Sequence, residues 1–231
     1  MLVLGIETST TQGGVAIIGE DRVLCEAVLN VEVTHSERLL PAIDRALGEA
    51  RITLDALGGI AVSIGPGSFT GLRIGLSTAK GLAYATGLPL VGVPTLEAMA
   101  WALPAARWQI CPVLDARKHE VYAALFRHEA DGLRRITDDA AMAPEELCRL
   151  IRNPTLFLGD GIEPYGGLFR ERLGDKMLLP PLASRGARPA CVADLGRQRL
   201  LRGERDAPES LVPRYLRPAE AELRRRRDAH H

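Results

Sequence analysis

The run Gly65-Pro66-Gly67-Ser68-Phe69-Thr70-Gly71-Leu72-Arg73-Ile74-Gly75 is the stretch of this chain whose backbone could meet a phosphate. It follows an apolar strand, Ile60 to Ile64, and opens a helix that ends near Gly87. Glycine turns at a helix N-terminus present backbone N–H groups to anions. The commonest phosphate loops do not fit. A P-loop closes with Gly-Lys-Ser/Thr, its lysine reaching the phosphates, and here Gly71 is followed by Leu72 and Arg73. A dinucleotide loop needs an acidic ribose partner about 20 residues on, and Gly87 to Pro94 offers none. Covalent chemistry has no better footing. Ser9, Ser63, Ser68 and Ser77 lie outside any Gly-x-Ser-x-Gly elbow, and Cys111 opens an apolar strand and reads as core.

The helix after the loop has an unusual face. Gly71, Gly75, Thr78 and Ala79 recur at three- and four-residue spacing and share one side. Glycine inside a soluble helix costs up to about 1 kcal/mol against alanine. A face with so little bulk makes sense where another backbone approaches closely, either within the chain or from a second protein.

The surrounding composition is that of a globular chain. The 231 residues are 46% apolar, with 29 basic and 29 acidic side chains, so no global field favours nucleic acid or an anionic membrane. Cys25, Cys111, Cys148 and Cys191 are widely spaced and form neither a zinc pattern nor a disulfide framework. There is no signal-type start and no apolar run of membrane-spanning length, and the expected location is the cytoplasm, with reduced thiols. Arg224 to Arg227, with Arg214 and Arg217 upstream, could neutralise phosphates, but Glu220 and Glu222 precede them and the tail reads as a solvated helix end.

The elements that position these residues fall into two similar series. The first has strands Leu2–Ile6, Val15–Ile18 and Arg22–Leu29, then a helix from a Thr34/Glu37 capping box through Leu39, Leu40, Ile43 and Leu47, bent at Pro41. Strand Ile60–Ile64, the glycine-opened helix, strand Leu90–Val93 and a short helix Leu96–Leu103 complete it. The second restarts with strand Gln109–Leu114, a polar turn, and strand Val121–Phe126. Helix Pro144–Ile151, strand Thr155–Leu158, Gly159-Asp160-Gly161, and helices near Pro164–Leu173, Pro189–Leu201 and Ala219–Arg227 follow. Each half begins strand, acidic residue, polar turn, strand, and later shows strand, glycine turn, helix. This duplication is what an actin-like ATPase (ASKHA) α/β fold requires. The expected division is 1–104, 105–212, and a C-terminal segment 213–231 packing back on the first unit.

The glycine run resembles the signature of the TsaB (YeaZ) family of bacterial tRNA threonylcarbamoyladenosine biosynthesis proteins. Leu4-Gly5-Ile6-Glu7-Thr8-Ser9-Thr10, Leu114-Asp115-Ala116-Arg117 with Glu120-Val121-Tyr122, and Pro213-Arg214-Tyr215-Leu216-Arg217 fit the same pattern. The resemblance implies the actin-like fold and a subunit that is not catalytic on its own. It would act with TsaD and the ATPase TsaE to move a threonylcarbamoyl group onto the adenosine beside a tRNA anticodon. Its partners would be TsaD, TsaE and, without TsaD, a second copy of itself, with tRNA reached through the complex. ATP would be used by the complex, with no cofactor held tightly by this chain. The related TsaD carries a His-x-x-x-His metal pair on a helix. Here His35 is followed four residues on by Leu39, and no metal site is expected. The expected partner surface comprises His35, Leu39, Leu40, Ile43, Gly71, Gly75, Thr78, Ala79 and Leu82.

Two acids keep a second reading open. Glu7 and Asp115 stand at corresponding hairpin turns, and in active actin-like ATPases such acids hold magnesium near phosphates. With Gly159, Asp160 and Gly161 they are the weak candidates for a nucleotide site, as in an actin-like small-molecule kinase or ATPase. Acidic turn residues equally satisfy turn backbone or solvent.

Overall fold

The computed structural model describes residues 1–30, 35–104 and 106–217. The Thr34 cap, the boundary at residue 105, the expected terminal helix Ala219–Arg227 and the side chain of His35 lie outside the described part. No helix of the described residues is long and apolar enough to cross a membrane.

In chain order the first half contains β1 (Val3–Glu7), β2 (Gln12–Ile18), β3 (Val23–Asn30), α1 (His35–Ala50), β4 (Gly59–Ser63), α2 (Phe69–Thr86), β5 (Leu90–Val93) and α3 (Thr95–Trp101). The second contains β6 (Gln109–Arg117), β7 (Glu120–Ala123), β8 (Phe126–Glu129), β9 (Gly132–Arg135), β10 (Ala140–Met142), α4 (Pro144–Leu150), β11 (Thr155–Leu158), α5 (Ile162–Leu173), β12 (Met177–Leu178) and α6 (Pro189–Leu201).

The duplication is visible in the pairing. The first sheet has the order β3-β2-β1-β4-β5. β1 pairs antiparallel with β2, Glu7 opposite Gly14, and parallel with β4. In the second sheet β6 pairs antiparallel with β7, Asp115 opposite Val121, and parallel with β11. The two acids therefore occupy the same place in two copies of one hairpin-and-crossover plan.

β1 and β4 are fully buried runs. A strand buried on both faces needs cover on both sides. On one side α1 and α2 supply Leu39, Ile43, Leu76 and Ala79 against Leu4, Ile6, Ile60 and Val62. On the other, α6 supplies Val192, Ala193, Leu195 and Leu200 against Val3, Ala61, Val91 and Val93. Pro189–Leu201, assigned from sequence to the second unit, covers the first sheet, and the first unit is discontinuous in sequence. The second sheet has α3 on one face, through Leu96 and Met99, with Leu103 just beyond the helix. Its other face carries Phe157 against Phe169, with ring centroids 5.3 Å apart, and Leu147.

The helix after the glycine run begins where Ser68 Oγ accepts the Gly71 N–H at 3.2 Å. It ends at Gly87, whose φ of 72° is the left-handed stop that glycine tolerates.

Candidate functional site

The first hairpin turn is built around Glu7. Its carboxylate is fully buried, and one oxygen accepts both the Ser9 N–H, at 2.6 Å, and the Ser9 hydroxyl. The other oxygen is buried and has no hydrogen-bond partner. Burial raises the Glu7 pKa, and the bonds from Ser9 only oppose that rise. Neighbouring backbone pins the turn to the glycine loop. The Thr8 N–H donates to Ser63 Oγ at 3.3 Å, and the Ser68 N–H donates to the Ser9 carbonyl at 2.6 Å.

The second turn is held differently. Asp115 Oδ1 accepts the Arg117 N–H at 2.8 Å, and Oδ2 lies 3.1 Å from the Arg117 guanidinium. The Asp115 N–H donates to Asp160 Oδ1 at 3.0 Å. Gly161 donates its N–H to the Val113 carbonyl at 3.1 Å. Gly159, at φ 109°, packs its α-carbon so tightly on that carbonyl that no side chain fits. Burial raises the Asp160 pKa, against the bond from Asp115. Arg117, Lys118 and His119 all take positive φ, a tight left-handed turn at the tip.

The structure thus brings Asp115, Gly159, Asp160 and Gly161 together, while Glu7 makes its own contacts. Among the described residues no group of three His, Cys, Asp or Glu side chains converges to hold a metal ion. In the actin-like fold such turns face magnesium and a nucleotide, and here each acid has a contact within the chain. One acid is fully buried on a serine, one is tied to an arginine, and one accepts a backbone N–H. Burial also raises the thiol pKa values, Cys25 to about 11 and Cys191 to about 12, with Cys111 and Cys148 raised as well.

The residues expected to form the partner surface fall into two groups. Gly71, Gly75 and Ala79 are buried, as are Leu39 and Ile43. A Cβ on Gly71 would overlap the Thr8 carbonyl, and one on Gly75 would overlap Thr8 Oγ1. The low-bulk face of α2 exists so that the first hairpin turn can lie on it. Thr78 and Leu82 are half-buried, and Leu40 is exposed. Beside them the outward side of α2 presents Ser77, Gly81 and Tyr84.

Residues 206–217 make contacts that the sequence reading did not place individually, beyond expecting 213–231 to pack back on the first unit. The Asp206 N–H donates to the Leu90 carbonyl, and Asp206 Oδ2 accepts the Gly92 N–H, both at 2.8 Å. Leu211 is buried in the first core. The Arg214 N–H donates to the Ile64 carbonyl at 2.7 Å. The Tyr215 ring stacks on Phe69 at 4.9 Å, and its hydroxyl accepts from Arg73 Nε at 2.9 Å. Arg217 reaches the Ala116 carbonyl at 3.1 Å and the Glu120 carboxylate at 2.7 Å. The available signal was the Pro-Arg-Tyr-Leu-Arg run, an aromatic between arginines in an otherwise turn-rich stretch.

Two sheets built on one plan, each opening with an acid-tipped hairpin, define an actin-like α/β protein. Comparison with known proteins agrees. The solved component A of (R)-2-hydroxyglutaryl-CoA dehydratase from Acidaminococcus fermentans superposes with a TM-score of 0.52 at 10% identity, over 87% of this chain and 99% of that one, a likeness of fold alone. A Pseudomonas aeruginosa protein described as similar to the peptidase YeaZ superposes with a TM-score of 0.79 at 28% identity, over 94% and 99% of the two chains. The family model for TsaD, tRNA N6-adenosine threonylcarbamoyltransferase, matches residues 29–223. The tRNA threonylcarbamoyladenosine biosynthesis protein TsaB of Bacillus subtilis is 32% identical over 227 residues, 97% of each chain. The chain belongs to the TsaB family.

Proposed function

We propose that this chain is the non-catalytic partner subunit in tRNA threonylcarbamoyladenosine biosynthesis. It would support TsaD and TsaE in transferring the threonylcarbamoyl group to the adenosine beside the anticodon. The observation that carries the reading is the use made of the acids at the two hairpin turns. Glu7 is buried on Ser9, Asp115 is engaged with Arg117, and Asp160 receives the Asp115 N–H. An acid that holds magnesium beside phosphate must be free to face it. Leu39 supports the same reading. It stands four residues after His35, where a second metal-ligating histidine would be needed, and it is a buried core side chain.

On this reading the chain holds no cofactor tightly, and the complex consumes ATP. The partner surface combines α1 and the outward side of α2, with Leu40 at its centre and Ser77, Gly81 and Tyr84 beside it. A TsaD-type transferase occupies that surface in the working complex, and a second copy of this chain occupies it otherwise. Sedimentation of the chain alone and mixed with TsaD tests this. A homodimer that gives way to a heterodimer on mixing is expected. Independent sedimentation of the two proteins would overturn the reading.

A further inference from the structure

The segment 206–217 touches both halves of the molecule, and its contacts are ordered along the chain. Its first part is anchored in the first half, through Asp206 on β5 and Leu211 in the core. Its middle part lies on the start of α2: Arg214 binds the carbonyl of Ile64, and Tyr215 stacks on Phe69 beneath the Arg73 guanidinium. Its last part crosses to the second half, where Arg217 grips the β6–β7 hairpin at Ala116 and Glu120. Arg214 makes a looser crossing contact, 3.7 Å from Asp139 between β9 and β10.

The start of α2 is itself bound to the first hairpin turn, through Ser68 on the Ser9 carbonyl. One continuous chain of contacts therefore joins the two acid-tipped turns. It runs from Ser9 through Ser68 and Phe69 to Tyr215 and Arg217, and ends at Ala116 and Glu120. We infer that residues 206–217 are a clasp that sets the spacing of the two hairpin turns, with Tyr215 and Arg217 as its releasable end. The anchored and releasable ends differ in kind. Leu211 is held by burial of apolar surface, which neither charge screening nor a competing charge weakens. Arg217 and Glu120 are partly exposed, and such pairs are screened and exchanged readily. Tyr215 is 40% exposed, although its ring is stacked and its hydroxyl bonded. An acidic partner surface competing for Arg217 would free the β6–β7 hairpin without disturbing either core. The inference does not depend on the proposed function, since it concerns only how the two halves are coupled.

The test measures the distance between the halves in the full chain. Spin labels are introduced as non-canonical residues at Arg22 and Arg152, both exposed and one in each half. The labelled protein is diluted with unlabelled protein to suppress distances between copies. A single narrow distribution is expected for the otherwise native chain. Arg217→Gln with Tyr215→Ala should roughly double its width or shift its centre, while Arg217→Lys with Tyr215→Phe should restore it. Arg217→Gln alone, at a quarter-exposed side chain, should broaden the distribution and carries the test if the double variant does not fold. An unchanged distribution in a folded Arg217→Gln or double variant would overturn the clasp.

Discussion

Gly75 and Thr8 are fitted to each other so closely that a Cβ on the glycine would overlap Thr8 Oγ1. The contact joins the middle of α2 to the first hairpin turn, and it decides how glycines in this helix respond to substitution. Gly75→Ala forces extra volume into a packed contact and should lower stability by about 1–3 kcal/mol. Gly81 lies on the exposed side of the same helix with nothing within 4 Å of the position a Cβ would take. Gly81→Ala should raise stability by about 0.5–1 kcal/mol, through helix propensity and a less flexible unfolded chain. Urea titration of both variants checks the pair, and effects of the same sign would mean that the α2 packing is misassigned.

The partner surface makes a separable prediction. Leu40 is 55% exposed on α1, and Gly81 is open on α2. Leu40→Asp and Gly81→Asp should each weaken self-association and association with TsaD at least about tenfold, equivalent to about 1.4 kcal/mol. Thermal unfolding of the monomer should change little. Light scattering with parallel melting curves distinguishes this from a folding defect, and undiminished association in both variants would remove α1 and α2 from the interface.

Glu7 should leave a mark on the pH dependence of stability. Burial raises its pKa in the folded chain, whereas the unfolded chain keeps an ordinary value near about 4.3. As pH rises, the unfolded state releases this proton first. Stability is therefore highest below the ordinary value, falls between the ordinary and the raised value, and levels off above it. One proton contributes a slope of at most about 1.4 kcal/mol per pH unit. Glu7→Gln removes this contribution, so the stability difference between variant and native chain should shift in the variant's favour across that window. Urea midpoints over the acidic to neutral range give the answer. A difference that does not vary with pH would mean that Glu7 titrates normally.

Asp206 anchors the C-terminal segment on the edge of the first sheet by accepting the Gly92 N–H, with Arg199 3.6 Å away. Asp206→Ala leaves that N–H without its partner and should cost about 1–2 kcal/mol. Chemical denaturation measures it. A neutral result would mean that the Asp206 carboxylate adds nothing to the hold already given by its own backbone N–H on Leu90, by Leu211 and by Arg214.

Much of this architecture was legible in the chain. The meander Val3–Asn30 and the strands Leu90–Val93 and Thr155–Leu158 stand out as apolar runs between turn residues. The repeated strand, acid, turn, strand order pointed to the duplicated fold. Phe126–Glu129 and Gly132–Arg135 did not read as strands, because Arg127, His128, Arg134 and Arg135 break any apolar alternation. The placement of α6 is a tertiary fact: its apolar residues suit cover for either sheet, and chain order suggested the nearer one. The small-residue stripe of α2 was legible but its direction was not, since close approach by Thr8 and close approach by a partner require the same glycines. The turn acids were legible as candidates. Their engagement by Ser9, Arg117 and the Asp115 N–H depends on backbone geometry that residue types do not encode.

On the proposed function, this chain supports the transfer without performing the chemistry. The most direct measurement is threonylcarbamoyl transfer to tRNA by TsaD and TsaE, with and without this chain, beside magnesium-dependent ATP hydrolysis by the chain alone. Transfer that requires the chain, with no hydrolysis by the chain on its own, is expected. Robust hydrolysis by the isolated chain, with no effect on transfer, would contradict it and favour an actin-like kinase or ATPase.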